Sequence, residues 1–174
     1  MKKYVQFIVL LLSAQCAMAQ PDQDENIAVQ GDQDFAIGGL AALPIGTPAD
    51  VADYGFGVEF MYLRALNKKW DVGGTIGYSR YFADDDLEEL GREDFGFLPV
   101  ALTGMYAIGE LGFGAGLDVG YAIGTGEDNN GGFLYEPKAY LETSRFIFSL
   151  GYRGIVLEND TFDTIKFGFA VKLN

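Results

Sequence analysis

Residues 110–123, ELGFGAGLDVGYAI, decide the fold of this chain, because large apolar side chains alternate there with small or charged ones. Every odd-numbered position from Leu111 to Ile123 is apolar, and every even-numbered position is Gly, Ala, Asp or Glu. Successive side chains of a β-strand point to opposite faces. The alternation therefore predicts a strand with one apolar face and one small or charged face.

The same period of two recurs along the rest of the chain. The further segments lie at residues 35–45, 56–62, 70–79, 98–108, 136–143, 145–153 and 165–173. Together they predict eight strands of about ten residues, the length with which a tilted strand crosses a bilayer. Segments 35–45 and 136–143 alternate less regularly, and their pairing register stays open.

The side chains on the two faces favour a membrane barrel over a soluble one. A soluble barrel turns its large apolar side chains inward and its polar side chains to water. Here the second face carries glycines and charges, which fit the narrow interior of an eight-stranded barrel, and the aromatic face then meets lipid. The predicted fold class is all-β, an eight-stranded antiparallel up-and-down transmembrane β-barrel.

The connections between the segments alternate in length. Long ones lie near residues 46–53, 83–95, 125–135 and 157–163, and short ones lie near 66–69, 109 and 143–144. Outer-membrane barrels have long outer loops and short periplasmic turns. The alternation therefore predicts that both ends of the barrel chain lie on the periplasmic side.

Composition excludes several classes of function. The 174 residues include 25 Asp and Glu against 12 Lys and Arg, which gives a net charge of −13, and there is no His. An acidic chain does not suit a nucleic-acid partner. Without His there is no Ser-His-Asp or Cys-His catalysis and no HExxH zinc site. We therefore expect no enzyme activity, no cofactor and no nucleic-acid binding.

The first 19 residues have the pattern of a secretory signal peptide. Lys2 and Lys3 precede an apolar run at residues 5–12, and Ala17 and Ala19 form a small-x-small cleavage site. The alternative is a lipoprotein acylated at the single cysteine, Cys16. Residues 20–33 are polar and acidic, which predicts a flexible arm or, alternatively, a partner-binding tail; residues 34–174 form the predicted barrel.

Ten charged residues fall on the predicted inner face. They are Glu59, Asp71, Glu110, Asp118, Lys138, Glu142, Arg145, Arg153, Lys166 and Lys172. Buried charges are tolerated when they are paired and hydrogen-bonded, so we expect a packed polar core with a charge network. A narrow water or ion path and a catalytic carboxylate pair are the alternatives.

The second outer loop is the most acidic segment. Asp84, Asp85, Asp86, Glu88 and Glu89 are weak candidates for binding a divalent cation, since clustered carboxylates can hold Ca²⁺ or Mg²⁺. Their spacing does not match an EF-hand loop. A solvated loop, cation bridging to lipopolysaccharide and a docking surface for a basic partner all stay open.

The chain from about Asp34 to Asn174 resembles the small eight-stranded outer-membrane barrels, namely OmpA-type transmembrane domains, OmpX and opacity-type proteins. Residues 166–173 are similar to the insertion signal of that family, with Lys166 and Gly168 followed by Val171 and Leu173 at the apolar positions. The chain departs from the family signal by ending in Asn174 instead of Phe.

The resemblance implies an outer-membrane location in a Gram-negative envelope, contact with lipid and lipopolysaccharide, and insertion by the barrel assembly machinery. Enzymatic barrels of that membrane depend on His, which this chain lacks. The predicted role is therefore structural or surface-interacting, in adhesion or envelope integrity, with the loop partner unidentified. A small porin-like pore and a soluble exported barrel that binds an apolar ligand are the rival interpretations.

Overall fold

The structure is a computed structural model that describes residues 33–83, 94–109, 111–126, 129–158 and 160–173. The predicted signal peptide, residues 20–32 of the predicted arm, Glu110, and the acidic candidates of the second loop lie outside the described residues. Those loop candidates are Asp84, Asp85, Asp86, Glu88 and Glu89.

Within the described ranges the chain forms eight antiparallel strands that close into a barrel. They are β1 Gln33–Pro44, β2 Tyr54–Ala65, β3 Trp70–Phe82, β4 Phe95–Ala107, β5 Phe113–Thr125, β6 Gly132–Glu142, β7 Phe146–Val156 and β8 Thr161–Lys172. Each strand pairs with the next along the chain, and β1 pairs with β8. The predicted fold class is confirmed.

The faces of the strands follow the alternation that predicts them. In β5, Phe113, Leu117 and Tyr121 are exposed on the outside of the barrel, whereas Asp118 and Ala122 are buried inside it. The pleat of a β-strand forces this division, because neighbouring side chains leave the backbone in opposite directions.

Several strands begin at other positions than the pattern predicts. β5 begins at Phe113, because Gly109 and Gly112 before it adopt φ angles of +76° and +78°, which interrupt the extended backbone. β6 begins at Gly132, so the third outer loop is shorter than predicted. β1 includes Gln33, the last residue of the predicted arm.

The barrel has a loop end and a turn end. Among the described residues, we call loop end the side with 45–53, 83, 94, 126, 129–131, 157–158 and 160, and turn end the side with 66–69, 108–109, 111–112 and 143–145. Residues 45–53 include a single turn of 3₁₀ helix, Thr47–Asp50. No helix in the described part of the chain is long and apolar enough to cross a membrane.

Candidate functional site

An apolar belt covers the outer face of the barrel. Its exposed members include Phe35, Ile37, Phe56, Val58, Phe60, Ile76, Val100, Leu102, Leu117, Val119, Ile123, Phe133, Phe148, Leu150, Phe167 and Phe169. They come from every strand of the closed sheet. A continuous apolar surface of this kind marks contact with a membrane or a large apolar partner.

Aromatic pairs lie at both edges of the belt. Trp70 and Tyr106 pack at the turn end with their rings 4.9 Å apart, and Tyr54 and Phe82 pack at the loop end at 5.2 Å. Trp70 and Phe82 are the first and last residues of β3. A strand of this length tilted by about 45° separates its ends by roughly 25–30 Å along the barrel axis, close to the height of a bilayer core.

The interior is layered, and the inner positions of β6 pass through all the layers in order. From the loop end they are Leu134, Glu136, Lys138, Tyr140 and Glu142. One apolar residue, two charged residues, an aromatic residue and a final carboxylate thus succeed one another along a single strand. The same sequence of layers is built across the lumen by the other strands.

The first layer, the loop-end apolar layer, closes the lumen next to the outer loops. Tyr81, Phe97 and Phe162 pack together with ring centroids 4.8–5.9 Å apart. Leu134 and Ile155 are each 1% exposed in the same cluster. The prediction of a small and charged interior is incomplete, because these large side chains also point inward.

The second layer is a central ion cluster of Glu59, Glu136, Arg153 and Lys166. Arg153 donates to Glu59 from Nη2 at 2.5 Å and to Glu136 from Nε at 2.6 Å. Lys166 Nζ lies 2.8 Å from Glu59 and 2.6 Å from Glu136. Each base therefore bridges both carboxylates, and the four charges cancel. Such mutual pairing is what makes fully buried ions tolerable.

A separate ion pair, between Lys138 and Asp118, lies next to the central ion cluster on its turn-end side. Lys138 Nζ donates to Asp118 Oδ2 at 2.6 Å, and both side chains are at most 5% exposed. On the neighbouring strands β3 and β4, the hydroxyl groups of Thr75 and Thr103 form a hydrogen bond of 2.7 Å, and Thr103 lies opposite Asp118 in the β4–β5 ladder. Each of these four polar side chains thus has a partner within the pair it belongs to, although Asp118 Oδ1 accepts no hydrogen bond from the described residues.

The turn-end apolar layer closes the lumen from the other side. Its larger buried members are Met61, Leu63, Met105, Tyr140 and Ile147. Between this layer and the central ion cluster there is a cavity of about 20 Å³. A space of that size holds about one water molecule. Among the described residues, apolar layers thus lie on both sides of the central ion cluster.

A third charged group lies at the mouth of the turn end. Lys172 Nζ binds Asp34 Oδ2 at 2.9 Å and also contacts the carboxylate of Glu142. Asp71 lies on the inner face of β3 at the same end and is half-buried, without an ion pair to the described residues.

The structure brings most of the predicted lumen residues together. Glu59, Arg153 and Lys166 meet in the central ion cluster, Asp118 meets Lys138, and Glu142 meets Lys172. The prediction for Arg145 is wrong, because this residue belongs to the 143–145 turn and is exposed.

Sequence reasoning missed Glu136 and Asp34. Glu136 is the first residue of the irregular segment 136–143 of the sequence, and the adjacent Pro137 obscures the alternation there. The signal that could have found it is its spacing from Lys138, since residues two apart share a face of a strand.

The residues of the predicted insertion signal lie in and just after β8. Lys166 points into the central ion cluster, Gly168 lies beside Ser149 on the inner face, and Leu173 is exposed. Val171 lies on the outer face near the turn end. Recognition of these residues by an assembly machinery stays a prediction.

The described residues contain no group of three or more His, Cys, Asp or Glu side chains arranged to hold a metal ion. Seven of the eight described ion pairs lie within the lumen or at its mouth, and the eighth joins Arg80 to Asp94 at the loop end. The chemistry of the lumen is that of mutual neutralisation, which fills and cross-links the interior.

Solved structures of other proteins share this architecture. The outer membrane protein Ail of Yersinia pestis in a phospholipid bilayer nanodisc matches with 16% identity over 83% of this chain and 100% of that chain, at a TM-score of 0.60. Ail in complex with the heparin analogue sucrose octasulfate matches with 15% identity, the same coverage and a TM-score of 0.56. The N-terminal β-barrel domain of Pseudomonas aeruginosa OprF matches with 13% identity over 83% of this chain and 100% of that chain, at a TM-score of 0.52.

No protein-family model and no curated protein matches the sequence. At identities of 13–16% the similarity concerns the fold. The closed sheet, the outward apolar belt and these structural matches together show that the chain has the fold of the small outer-membrane β-barrels.

Proposed function

We propose that this protein is a non-enzymatic β-barrel of the outer membrane, which presents an acidic loop end to the outside and acts in surface interaction or envelope integrity. The observation that carries the proposal is the apolar belt between two aromatic edges on a barrel whose interior charges pair with one another. In hydrocarbon every backbone polar group needs an internal partner, and a closed sheet provides one for each.

The charges of the loop end indicate the kind of partner. Asp53, Glu158 and Asp160 are exposed there, and Asp94 is bound to Arg80. The sequence of the second loop adds Asp84, Asp85, Asp86, Glu88 and Glu89. A surface of this sign favours a basic partner, or an anionic one bridged by divalent cations.

The Ail structures give this proposal a useful contrast. One of them holds a heparin analogue, which is a polyanion. The acidic loop end of the present chain disfavours a polyanion, so its surface interaction would differ in sign from that one.

The absence of His supports a role without catalysis. The buried carboxylates Glu59, Glu136 and Asp118 are each held by a base, which leaves none of them poised as a general acid or base. The pore interpretation is not favoured, because apolar layers close the lumen on both sides of the ion cluster.

Fractionation and gel mobility test the membrane location together. We expect the protein in the outer-membrane fraction, and we expect a detergent extract to change its position on an SDS gel when it is boiled, because a closed barrel resists SDS until heated. A protein found only in the soluble periplasm without such a change would support the soluble-barrel interpretation instead.

Binding to whole cells tests the loop proposal. We expect cells that produce the protein to retain a fluorescent cationic peptide, and to lose this retention when Asp84, Asp85, Asp86, Glu88 and Glu89 are replaced by their amides. Equal retention by both cells would contradict a role for the acidic loop. Retention of fluorescent heparin by the unchanged protein, without added divalent cations, would contradict the proposed sign of the partner.

A further inference from the structure

The tip of the β2–β3 hairpin carries three exposed bases at the turn end. Arg64 lies on the outer face near the end of β2, and Lys68 and Lys69 lie in the following turn. Within the described ranges, none of the three makes an ion pair. We call these three residues the β2–β3 basic rim.

This concentration stands out because every other described base except Arg145 is already engaged in an ion pair. Lys138, Arg153, Lys166 and Lys172 pair with carboxylates in the lumen or at its mouth, and Arg80 pairs with Asp94 at the loop end. The remaining described base, Arg145, is exposed at the same turn end. In a chain of net charge −13, the unpaired bases of the described residues thus all lie at one end of the barrel.

The hairpin holds these bases next to an aromatic edge. Asn67 Oδ1 accepts hydrogen bonds from the backbone N–H groups of Lys69 and Trp70 at 2.9 and 3.0 Å, which fixes the turn. Trp70 then packs on Tyr106 at the outer face. Arg64 follows Tyr62 by two residues, so both lie on the outer face of β2.

Aromatic side chains at a membrane edge lie at the level of lipid headgroups. The described carboxylates of the same end, Asp34, Asp71 and Glu142, lie on the inner face, and Lys172 binds two of them. A headgroup that approaches from the outside of the barrel therefore meets bases first. Lys and Arg near a membrane surface attract anionic lipid.

We propose that the β2–β3 basic rim is a binding surface for the phosphate headgroup of an anionic glycerophospholipid in the leaflet next to the turn end. The inference rests on the proposed membrane location and adds the lipid class that this side of the barrel selects.

Trp70 makes the site directly observable, since it is the only Trp in the chain and lies beside the rim. The purified protein is folded into vesicles of equal parts phosphatidylcholine and phosphatidylglycerol, with bromine on the acyl chains of one lipid or the other. Bromine quenches the fluorescence of a Trp that it touches. We expect brominated phosphatidylglycerol to quench Trp70 more than brominated phosphatidylcholine does. The expected association constant of phosphatidylglycerol is about fivefold that of phosphatidylcholine, which corresponds to one base acting on the headgroup.

Two variants separate the rim from general surface charge. In the triple variant Arg64→Gln, Lys68→Gln, Lys69→Gln, we expect the two lipids to quench equally. In the control Arg145→Gln, which changes an exposed base of the β6–β7 turn, we expect the preference to persist.

The outcomes distinguish this inference from the proposed function. Equal quenching by both lipids in the unchanged protein would overturn the inference and leave the membrane location intact. A preference that survives in the triple variant would also overturn it. No quenching by either lipid would place Trp70 outside the bilayer and overturn both proposals.

Discussion

Glu136 shows how a single residue determines what the lumen of this barrel can do. Its carboxylate accepts a hydrogen bond from Arg153 Nε and lies 2.6 Å from Lys166 Nζ, and the residue is fully buried. Both bases also reach Glu59 on the far side of the lumen. Removing any one of these four residues leaves an unpaired charge buried in the lumen. The free energy lost in this way exceeds the net stabilisation that the ion pair itself provides.

Arg153→Met tests this arrangement. It leaves Glu59 and Glu136 to share Lys166, and we expect the free energy of unfolding to fall by about 3–5 kcal/mol. The measurement is urea unfolding in lipid vesicles, followed by Trp70 fluorescence. Arg145→Met is the control, because it makes the same change at an exposed turn residue, and we expect it to stay within about 0.5 kcal/mol.

The double variant Arg153→Met, Glu136→Gln restores charge balance and should recover part of the stability lost in the single variant. If Arg153→Met were no more costly than Arg145→Met, or if the second substitution added to the loss, the central ion cluster would not be coupled in the way that its distances indicate.

Glycine at position 120 has a different role, which is to let β4 and β5 lie close inside the narrow barrel. A Cβ atom there would meet the carbonyl oxygen of Val100 and come within 2.9 Å of the Cβ of Ala101. We expect Gly120→Ala to lower the free energy of unfolding by about 1–3 kcal/mol, because the neighbours belong to the backbone of the next strand and cannot rotate away.

Gly104→Ala is the matched control for Gly120→Ala. Nothing lies within 4 Å of a Cβ atom at Gly104, which is on the neighbouring strand β4. We expect a change of at most about 0.5 kcal/mol in the same urea experiment. Equal effects at the two positions would mean that the close approach of β4 and β5 does not limit packing.

At the scale of elements, a proline explains why the β6–β7 ladder is interrupted where it is. The β6–β7 ladder pairs Tyr135 with Gly154 and Lys138 with Gly151 but is interrupted between them, where Pro137 lies. A proline has no N–H group to donate to a neighbouring strand. β6 is therefore both the least regular strand in the sequence and a complete member of the barrel.

The face assignment of β8 can be tested by charge and depth. Phe167 lies in the middle of β8 and is exposed on the belt. We expect Phe167→Arg to cost about 2–4 kcal/mol in vesicles and to reduce the heat-sensitive band on an unboiled gel, because an arginine near the bilayer midplane is poorly solvated.

Leu111→Arg is the depth control for Phe167→Arg. Leu111 is 81% exposed in the turn between β4 and β5, at the edge of the barrel. An arginine near the interface costs about 0–1 kcal/mol. If both variants folded equally well, the outer face would not be in contact with hydrocarbon.

At the scale of the whole molecule, the layered lumen decides between a barrel that conducts and one that does not. The loop-end apolar layer and the turn-end apolar layer lie on opposite sides of the charged residues. The cavity between them has a volume of about 20 Å³. Ions would have to displace packed apolar side chains at both ends to pass.

We therefore expect no steady conductance in a planar bilayer. The measurement needs proof that the protein has inserted, which the change in gel mobility of the recovered protein provides. Long-lived conductance steps that scale with the amount of inserted protein would contradict the sealed lumen and favour the pore interpretation. A single substitution such as Phe162→Ala should leave the barrel silent, since the turn-end apolar layer remains closed.

The sequence by itself determined the number of strands, their faces and the closure of the sheet. The reason is local: the period of two separates residues such as Leu117 and Asp118 onto opposite faces, and connection lengths alternate between the two ends. The outward position of most aromatic residues followed from the same pattern, since the face rich in small and charged side chains fits the narrow interior of eight strands.

Only the tertiary structure decided which interior residues meet. Glu59 and Lys166 are 107 positions apart, and they touch because the tilt and register of a closed sheet bring β2 and β8 to one level of the lumen. The same geometry places Tyr81, Phe97 and Phe162 in one layer and leaves Arg145 outside. A period of two assigns a side chain to a face but does not determine its height along the barrel axis. Charges from distant strands pair and neutralise one another only because they lie at the same height in the lumen.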